Sequence, residues 1–231
     1  MKIINNTSSP TPLEIHKGFT ALNISTTHLM SLDDSKATID LYVDSDEKDL
    51  KIATSYPLLP FMLLSTMGDG AIIQTQTGFN ALCDLTDLGN IQLKEKESVR
   101  LEIAGLNPDN KITVNTVEYP VNVGNLRAFS RKTLQTDTTE RTVNVENDTH
   151  LLIKNIDTVK TIQLNYSTGE SVKYTADEIK IISNDFDPFK VVNSNGSVST
   201  SIDTYSSLLL HAVKSIDIVK NNGVVELFTK S

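Results

Sequence analysis

The chain carries the same β-strand pattern twice, and this repeat constrains its fold more than any other feature. Four segments of the first half recur in the same order in the second half. The segments are 38–41, 50–52, 101–103 and 112–116, and their counterparts are 161–164, 172–174, 216–218 and 225–229. The offset between counterparts falls from 123 residues (Thr38 to Thr161) to 113 residues (Ile112 to Val225). The repeat therefore predicts two β domains in tandem, with a longer insertion in the first.

Apolar and polar residues alternate along most of the chain, as they do in half-buried β-strands. The predicted strands of the first half are 19–24, 37–43, 50–54, 91–93, 99–103 and 112–117. Those of the second half are 142–145, 151–154, 161–166, 171–174, 179–182, 189–192, 198–202, 208–213, 215–219 and 224–228. Closely spaced strands separated by turn residues are typical of a sandwich or a barrel.

Three segments carry helical signals. Pro60 fits the first turn of a short helix that Gly68 would end. Apolar residues then recur at every third position before a glycine, which predicts a second helix in the first half: Phe79, Leu82, Leu85, Leu88 and Gly89. In the second half, residues 175–178 match a capping box and predict a single helical turn before Ile179.

Composition divides the chain into four segments. Residues 1–12 are polar, contain two prolines and are predicted to be an N-terminal arm. Residues 13–125 are predicted to form the first β domain, and residues 141–231 the second. The segment 126–140 between them has little apolar content and is predicted to be a linker.

Charge and cysteine content restrict the class of protein. The formal net charge of −8 disfavours non-specific binding of nucleic acid by the surface as a whole. The single cysteine, Cys83, cannot form an internal disulfide and is predicted to be a buried apolar residue. The first residues lack the pattern of a signal peptide, and the longest apolar stretch, 58–64, is too short to span a bilayer.

Acidic clusters and histidines are the first candidates for a chemical site. The four histidines are far apart and lack ligand spacing, so we predict no metal site and no cofactor. The cluster 44–49 has the oxygen ligands that begin a calcium loop but lacks its glycine and final glutamate, and we interpret it as a hairpin turn. Asp185 and Asp187 could act as an acid–base pair, but they flank a proline-fixed turn. We therefore expect no enzymatic activity and no small-molecule substrate.

One group of residues departs from the acidic character of the chain. Arg127, Arg131, Lys132 and Arg141 surround Phe129 in the sequence. This arrangement would permit binding of nucleic acid or phosphate with base stacking. A solvated linker or a salt-bridged surface between subunits is the favoured interpretation. These five residues are the predicted contacts with a partner.

Two consecutive β-barrels of similar strand order, with a polar arm, a connector and no catalytic motif, resemble the double jelly-roll capsid proteins. That family forms the shells of tailless icosahedral bacteriophages, often with an internal membrane, and of adenovirus-like viruses. The resemblance covers residues 13–229 and consists of pattern and duplication rather than a diagnostic motif. The chain is short for this family, which leaves open a minimal member or a single jelly roll joined to another β domain.

The resemblance implies an all-β fold of two tandem jelly-roll domains, with one or two short helices inserted in the first. It implies a major capsid protein, located in the virion and assembled in the host cytoplasm. The chain would form a homotrimer, a pseudo-hexameric capsomer that contacts neighbouring capsid subunits. Its inner face would meet an internal membrane or the viral genome. The alternative is a phage spike or a receptor- or carbohydrate-binding β-sandwich, for which six tyrosines, seven phenylalanines and no tryptophan supply few aromatic side chains.

Overall fold

The computed structural model describes residues 12–34, 36–45, 49–66, 72–86, 89–119, 121–186, 190–202 and 204–231. These residues belong to two units. The first unit contains the chain up to residue 129 together with 190–200, and the second contains 130–189 and 201–231. None of the described helices is long and apolar enough to cross a lipid bilayer.

Strands dominate both units, and short helices interrupt them. The elements up to residue 117 are β1 Leu13–Ile15, β2 Ala21–Thr26, α1 Ser31–Asp34, β3 Thr38–Asp44, β4 Leu50–Pro57, α2 Leu58–Ser65, β5 Ile72–Thr75, β6 Gly78–Asp84, β7 Ser98–Ala104 and β8 Ile112–Val117. The later elements are β9 Phe129–Leu134, β10 Glu140–Asn144, β11 His150–Lys154, a 3₁₀ turn Ile156–Thr158, β12 Val159–Tyr166, β13 Ser171–Thr175, α3 Ala176–Phe186, β14 Lys190–Asn193, β15 Val198–Ser201, β16 Tyr205–Leu209, β17 Val213–Lys220 and β18 Val225–Lys230.

The first unit is built from two sheets. One sheet has the strand order β1-β7-β3-β4, and the other has the order β15-β14-β5-β6-β2-β8. Alternate side chains of each strand point inward, as the pleat requires. Ile39 and Leu41 of β3 and Leu22 and Ile24 of β2 are accordingly fully buried.

The second unit repeats this plan with the sheets β10-β17-β12-β13 and β16-β11-β18-β9. Side chains from both sheets belong to one apolar cluster, which shows that the sheets face each other. Ile162 and Ile216 enter this cluster from the first sheet, and Ile153 and Leu227 enter it from the second.

Seven strands of each unit follow the same order. The sheet β1-β7-β3-β4 matches the sheet β10-β17-β12-β13 strand by strand. In the other sheet, the run β6-β2-β8 matches the run β16-β11-β18. The registers agree as well. Thr38 pairs with Ala104 in the first unit. The counterpart of Thr38 is Thr161, 123 residues later, and the counterpart of Ala104 is Val219, 115 residues later. Thr161 pairs with Val219 in the second unit. The predicted all-β fold of two tandem jelly rolls is therefore confirmed.

The short helix predicted near Pro60 is α2, which is confirmed. Every residue of α2 is buried, and its apolar side chains cover the whole circumference, as in a helix enclosed by a core. Pro60 lies in the first turn, where the backbone N–H has no partner within the helix. The helix ends where the Thr66 N–H donates to the Met62 carbonyl at 3.1 Å. The predicted stop, Gly68, lies outside the described residues.

The prediction of a second helix over 79–88 is wrong, because strand β6 occupies most of that segment. Ala81 and Cys83 are fully buried, whereas Leu82, one of the residues in the three-residue spacing, is 43% exposed. β6 lies between β2 and β5 in the sheet. Burial on alternate residues is the pattern of a strand, and small inward side chains concealed it in the sequence.

The prediction of a strand over 179–182 is also wrong, because α3 contains these residues. The predicted capping box forms: the Thr175 N–H donates to Glu178 Oε2 at 2.7 Å, and the Glu178 N–H donates to Thr175 Oγ1 at 3.3 Å. The helix continues beyond the single predicted turn because Ile179 and Ile182 pack on the core of the second unit. Ile181, on the other side of the helix, is 59% exposed.

Several segments differ from the predicted division of the chain. The predicted linker 126–140 contains β9, which belongs to the second unit from Ser130 onward. Its polar residues 130–133 are exposed, and its end residues are buried. In contrast, β14 follows α3 in sequence but runs parallel to β5 in the first unit. The predicted strand 91–93 is reduced to a bridge between Phe19 and Ile91. Residues 1–11 of the predicted arm lie outside the described residues.

The capping box provides a test of α3. In Thr175→Ala the hydroxyl that accepts the Glu178 N–H is lost, and we expect the free energy of unfolding to fall by about 1 kcal/mol. Urea denaturation followed by circular dichroism measures this loss. Thr168→Ala, which changes an exposed threonine in the turn after β12, is the matched control. Equal losses in the two variants would contradict the cap.

Candidate contact surfaces

Phe129, the aromatic residue of the predicted contact group, lies inside the first unit. It is only 6% exposed. Its ring centroid lies 5.8 Å from that of Tyr56 and 4.8 Å from that of Phe61, in edge-to-face and tilted arrangements. Such aromatic contacts are typical of a core. Phe129 therefore offers no exposed ring on which a base could stack.

Arg131 and Lys132 follow on β9 and have neighbours within the second unit. The Arg131 guanidinium donates from Nε to Glu226 Oε1 at 3.0 Å and lies 6.0 Å from the ring centroid of Phe228. Lys132 Nζ donates to the carbonyl of Asn144 at 3.3 Å. Both residues are exposed. The charge of Arg131 is thus largely matched by a carboxylate of its own unit.

The other two basic residues lie in different places. Arg127 belongs to the first unit, where it is half-buried and its backbone N–H donates to the Leu85 carbonyl at 2.8 Å. Arg141 is exposed on β10, the last strand on one side of its sheet. Only Arg131, Lys132 and Arg141 therefore share a unit, and they lie on its outermost strands.

The acidic clusters are only partly described. Asp44 ends β3 and Asp49 lies directly before β4, whereas residues 46–48 of the cluster 44–49 lie outside the described residues. Asp187 and the side chain of Asp185 lie outside the described residues. Within the described ranges, no group of three or more His, Cys, Asp or Glu side chains could hold a metal ion.

The outer face of the β1-β7-β3-β4 sheet is charged and hydrogen-bonded within itself. Asp40 accepts a hydrogen bond from the Tyr42 hydroxyl at 2.9 Å and another from the Ser55 N–H at 2.8 Å. Desolvation and the hydrogen bond to Asp40 raise the pKa of Tyr42. Arg100 Nη2 lies 3.9 Å from Glu102 Oε2. Side chains of this kind, partly exposed, are typical of a face in contact with solvent.

The equivalent sheet of the second unit has a similar polar face. Asp217 occupies the position that Glu102 has in the first unit, 115 residues earlier. Its carboxylate accepts hydrogen bonds from the Thr142 hydroxyl at 2.6 Å and from the Asn165 amide at 2.8 Å. These two bonds stabilise the charged form and lower the pKa of Asp217.

The six-stranded sheet of the first unit has a different outer face. Ile73 of β5 pairs with Asn80 of β6, and these residues share a face with Leu82. Ser25 and Asn23 of β2 are the cross-strand partners of Asn80 and Leu82. Ile73 is 44% exposed and Leu82 is 43% exposed. Aliphatic, amide and hydroxyl groups without charge are typical of the centre of a protein interface, where charged residues are depleted. We call these five residues the uncharged face.

A groove opens between β1 and β8, the outer strands of the two sheets of the first unit among the described residues. Its volume is about 420 Å³. Leu13 lines it on one side, and Val114 and Thr116 line it on the other. Lys17, after β1, and Glu118, after β8, also line it and form an ion pair at 2.8 Å. This pair is exposed to solvent and therefore contributes little to stability.

Sequence reasoning found the basic residues and missed the uncharged face and the groove. The position of Leu82 between Ala81 and Cys83 fits a strand with Leu82 on its outer face. The three-residue spacing of the larger apolar residues predicted a helix instead. The groove depends on the pairing of Leu13 with Leu101, which lie far apart in the chain. A contact of that kind leaves no local pattern.

No protein-family model matches the chain, and no curated protein matches its sequence. Among solved structures, the chain is similar to the major capsid protein P2 from bacteriophage PM2. The TM-score is 0.52 and the identity 9%, over 99% of this chain and 96% of that chain. A chain from the structure of Sulfolobus Turreted Icosahedral Virus has a TM-score of 0.49 and 9% identity, over 99% of this chain and 88% of that chain. The likeness to P2 shows a shared fold over nearly the whole length of both chains.

The hydrogen bonds of Asp217 predict a pH-dependent loss of stability in Asp217→Asn. Because the folded pKa lies below that of the unfolded chain, the carboxylate stabilises the fold above the unfolded pKa, and this contribution disappears as the pH falls through the folded pKa. We expect a loss of about 0.5–1 kcal/mol at neutral pH, limited by solvent exposure. Urea denaturation at neutral and acidic pH measures it.

Asp137→Asn, in the exposed turn after β9, is the control for this measurement. It should change the free energy of unfolding little at neutral pH. A loss in Asp217→Asn that stays constant down to acidic pH would contradict the role of the charge.

Proposed function

We propose that the chain is a major capsid protein, a structural protein that assembles into an icosahedral viral shell. The observation that carries this proposal is the likeness of fold to the PM2 capsid protein P2 over nearly the full length of both chains. A fold by itself does not dictate a function. The proposal therefore also needs surfaces suited to assembly and a measurement of assembly. The proposed location is the virion, after assembly in the host cytoplasm, with an internal membrane or the viral genome beneath the shell.

The duplicated strand order supports a homotrimer as the building block. Each chain supplies two units in which seven strands share one order, with the same register in the β3–β7 and β12–β17 ladders. Three chains around a threefold axis would supply six such units, an arrangement close to a hexagon. Closed cyclic symmetry of this kind is the ordinary state of a homo-oligomer. A pseudo-hexameric block can then tile a shell through repeated contacts with neighbouring subunits.

The uncharged face supports a contact between copies of the chain. Each copy carries a formal net charge of −8, so two copies repel each other unless their contact avoids acidic surface. Ile73 and Leu82 lie on a face without charge at its centre, and both are more than two-fifths exposed. The outer face with Asp40 and Glu102 lacks this property. A second copy is therefore the occupant that we assign to the uncharged face.

The basic residues are also proposed to contact a neighbouring subunit rather than nucleic acid. Base stacking would need the ring of Phe129, which is buried. Arg131 already pairs with Glu226. Lys132 and Arg141 are exposed cations on an acidic chain, so the acidic surface of another copy is a suitable electrostatic partner.

Assembly of the purified chain tests the proposal. Size-exclusion chromatography with light scattering should give three times the chain mass, and electron microscopy should show shell-like particles under assembly conditions. A stable monomer that binds sugars on a glycan array would contradict a capsid role and would support the spike or carbohydrate-binding alternative.

Leu82→Lys tests the uncharged face. A buried lysine without a partner weakens an interface, so we expect the association constant of the oligomer to fall by about tenfold or more. Leu50→Lys is the matched control, since Leu50 is 54% exposed on β4, a strand of the charged sheet. Analytical ultracentrifugation over a range of concentrations compares the two. Equal association constants would show that the uncharged face is not the contact.

A further inference from the structure

The uncharged face continues onto strand β8. Val114 lines the groove, so its neighbours Thr113 and Asn115 point to the opposite, outer side of the sheet. Thr113 pairs with Ser25, and Asn115 pairs with Asn23. The rows of side chains that cross β6 and β2 therefore extend to β8 without meeting a charge.

The strands beneath this face contain almost no charged residues. β5, β6, β2 and β8 together contain one, Asp84, which is 6% exposed. Its carboxylate accepts the Thr86 N–H at 2.8 Å. The four strands of the other sheet of the first unit contain six charged residues: Glu14, Asp40, Asp44, Lys51, Arg100 and Glu102.

Three exposed apolar side chains follow β8 in the chain. Tyr119 is 49% exposed, Val121 is 40% exposed and Val123 is 62% exposed. We call these three residues the apolar strip. With Ile73 and Leu82 they account for five of the eight large apolar side chains that are exposed in the described part of the first unit. The other three are Met30, Leu50 and Val198. Exposed apolar residues that occur together mark an interaction site.

Asn90 fixes the backbone of the apolar strip. Its side-chain amide donates to the Tyr119 carbonyl at 3.2 Å and to the Val121 carbonyl at 3.0 Å. Its backbone N–H donates to the Asn122 carbonyl at 2.8 Å, and its own carbonyl accepts the Gly124 N–H at 3.0 Å. Because one residue holds the backbone through four hydrogen bonds, little conformational entropy is left to lose when a partner covers the strip.

The apolar strip borders the uncharged face. The Thr20 hydroxyl accepts the Tyr119 N–H at 2.8 Å and donates to Asn90 Oδ1 at 2.5 Å. Gly124 lies against Thr86, so that a Cβ atom on this glycine would lie 2.7 Å from Thr86 Cβ. The strip is thus attached just before the start of β2 and just after the end of β6, two strands of the uncharged face.

We propose that the apolar strip is part of the contact between two copies of the chain and extends the uncharged face into one continuous interface. This inference rests on the proposed assembly into a shell. Each copy has a formal net charge of −8, and on this surface two copies meet without burying like charges. The charged residue next to the strip, Glu118, already pairs with Lys17 at 2.8 Å. Tyr119 is of the residue type that is enriched at the centre of protein interfaces.

Val121→Lys and Val172→Lys form a matched pair of variants. Both valines are 40% exposed, and Val172 lies on β13, the last strand of a sheet of the second unit. In Val121→Lys an ammonium group is buried without a partner, so we expect the association constant to fall by about tenfold or more. Val172→Lys should leave it unchanged. Analytical ultracentrifugation over a range of concentrations measures both.

The results of this comparison separate the inference from the capsid proposal. If the wild-type protein associates and the two valine variants associate equally well, the inference is wrong and the capsid proposal stands. If Leu82→Lys weakens association and Val121→Lys does not, the uncharged face is the contact without the strip, and the inference is again wrong. A wild-type protein that stays monomeric at every concentration would overturn both.

Fluorescence reports directly on burial of the strip. The chain contains no tryptophan, so Tyr119→Trp introduces a single fluorophore. As the concentration is raised through the association range, we expect its emission to move to shorter wavelength and its quenching by acrylamide to fall severalfold, because the centre of an interface excludes solvent. Val123→Trp, which keeps Tyr119, should behave in the same way.

Leu50→Trp is the control for the fluorescence measurement. Leu50 is 54% exposed on β4, a strand of the charged sheet, and a tryptophan there should keep its emission during association. Loss of stability alone would not produce a shift that depends on concentration and on the site of the probe. Constant emission of both strip variants during association would overturn the inference.

Lipid vesicles test the other class of partner for an exposed apolar strip. At a concentration too low for association, vesicles of neutral phosphatidylcholine should leave the emission of Tyr119→Trp unchanged. A shift to shorter wavelength on adding these vesicles would assign the strip to a membrane surface and would overturn the proposed contact between copies.

Discussion

The rest of the fold depends on one antiparallel strand pair at the centre of one sheet in each unit. In the first unit this ladder joins β3 to β7, and in the second it joins β12 to β17. Ile39 and Leu41 face the core in one ladder, and Ile162 and Leu164 face it in the other. A slip of one residue would turn these side chains to solvent, so burial holds the register. The neighbouring strands of each sheet are then added to the sides of this pair.

The ladder also explains how much of the fold could be predicted from the sequence. Strands with large aliphatic residues on alternate positions, such as β3 and β12, were found because burial on one face leaves a periodic signal. β6 was mistaken for a helix because its inward residues are small, while the outward Leu82 belongs to an apolar recurrence at every third position. The helix α3 was mistaken for a strand because Ile179, Ile181 and Ile182 form a β-like run. β9 was mistaken for a linker because a polar strand at a sheet edge has only its end residues buried. The candidate contact surfaces depend on which strands become neighbours, and that is decided by contacts distant in sequence.

Packing and surface positions have diverged to different extents between the two units. Inward positions keep their chemistry, as Ile39 and its equivalent Ile162 show. Outward positions differ: Asp40 of β3 is replaced by Gln163 in β12. Core residues are constrained by close packing on all sides, whereas an outward side chain can change with little cost in stability. Outer faces are therefore where two units of one strand order can acquire different contacts.

A duplicated sandwich doubles the number of sheet edges, and each edge must be protected from pairing with other chains. The equivalent strands β6 and β16 show two solutions. β6 is flanked by β5, whereas the edge of β16 is covered by α3, whose Ser183 hydroxyl accepts the Ser207 N–H at 2.8 Å. β4 pairs with β3 through two register shifts, and the Ser55 N–H donates to Asp40 between them. β18 is flanked by β9. A protein that assembles at high local concentration needs such protection most, because an open edge would compete with the specific contacts between subunits. Covered edges and an uncharged outer face together would favour association through that face, which is the contact proposed above between two copies of the chain.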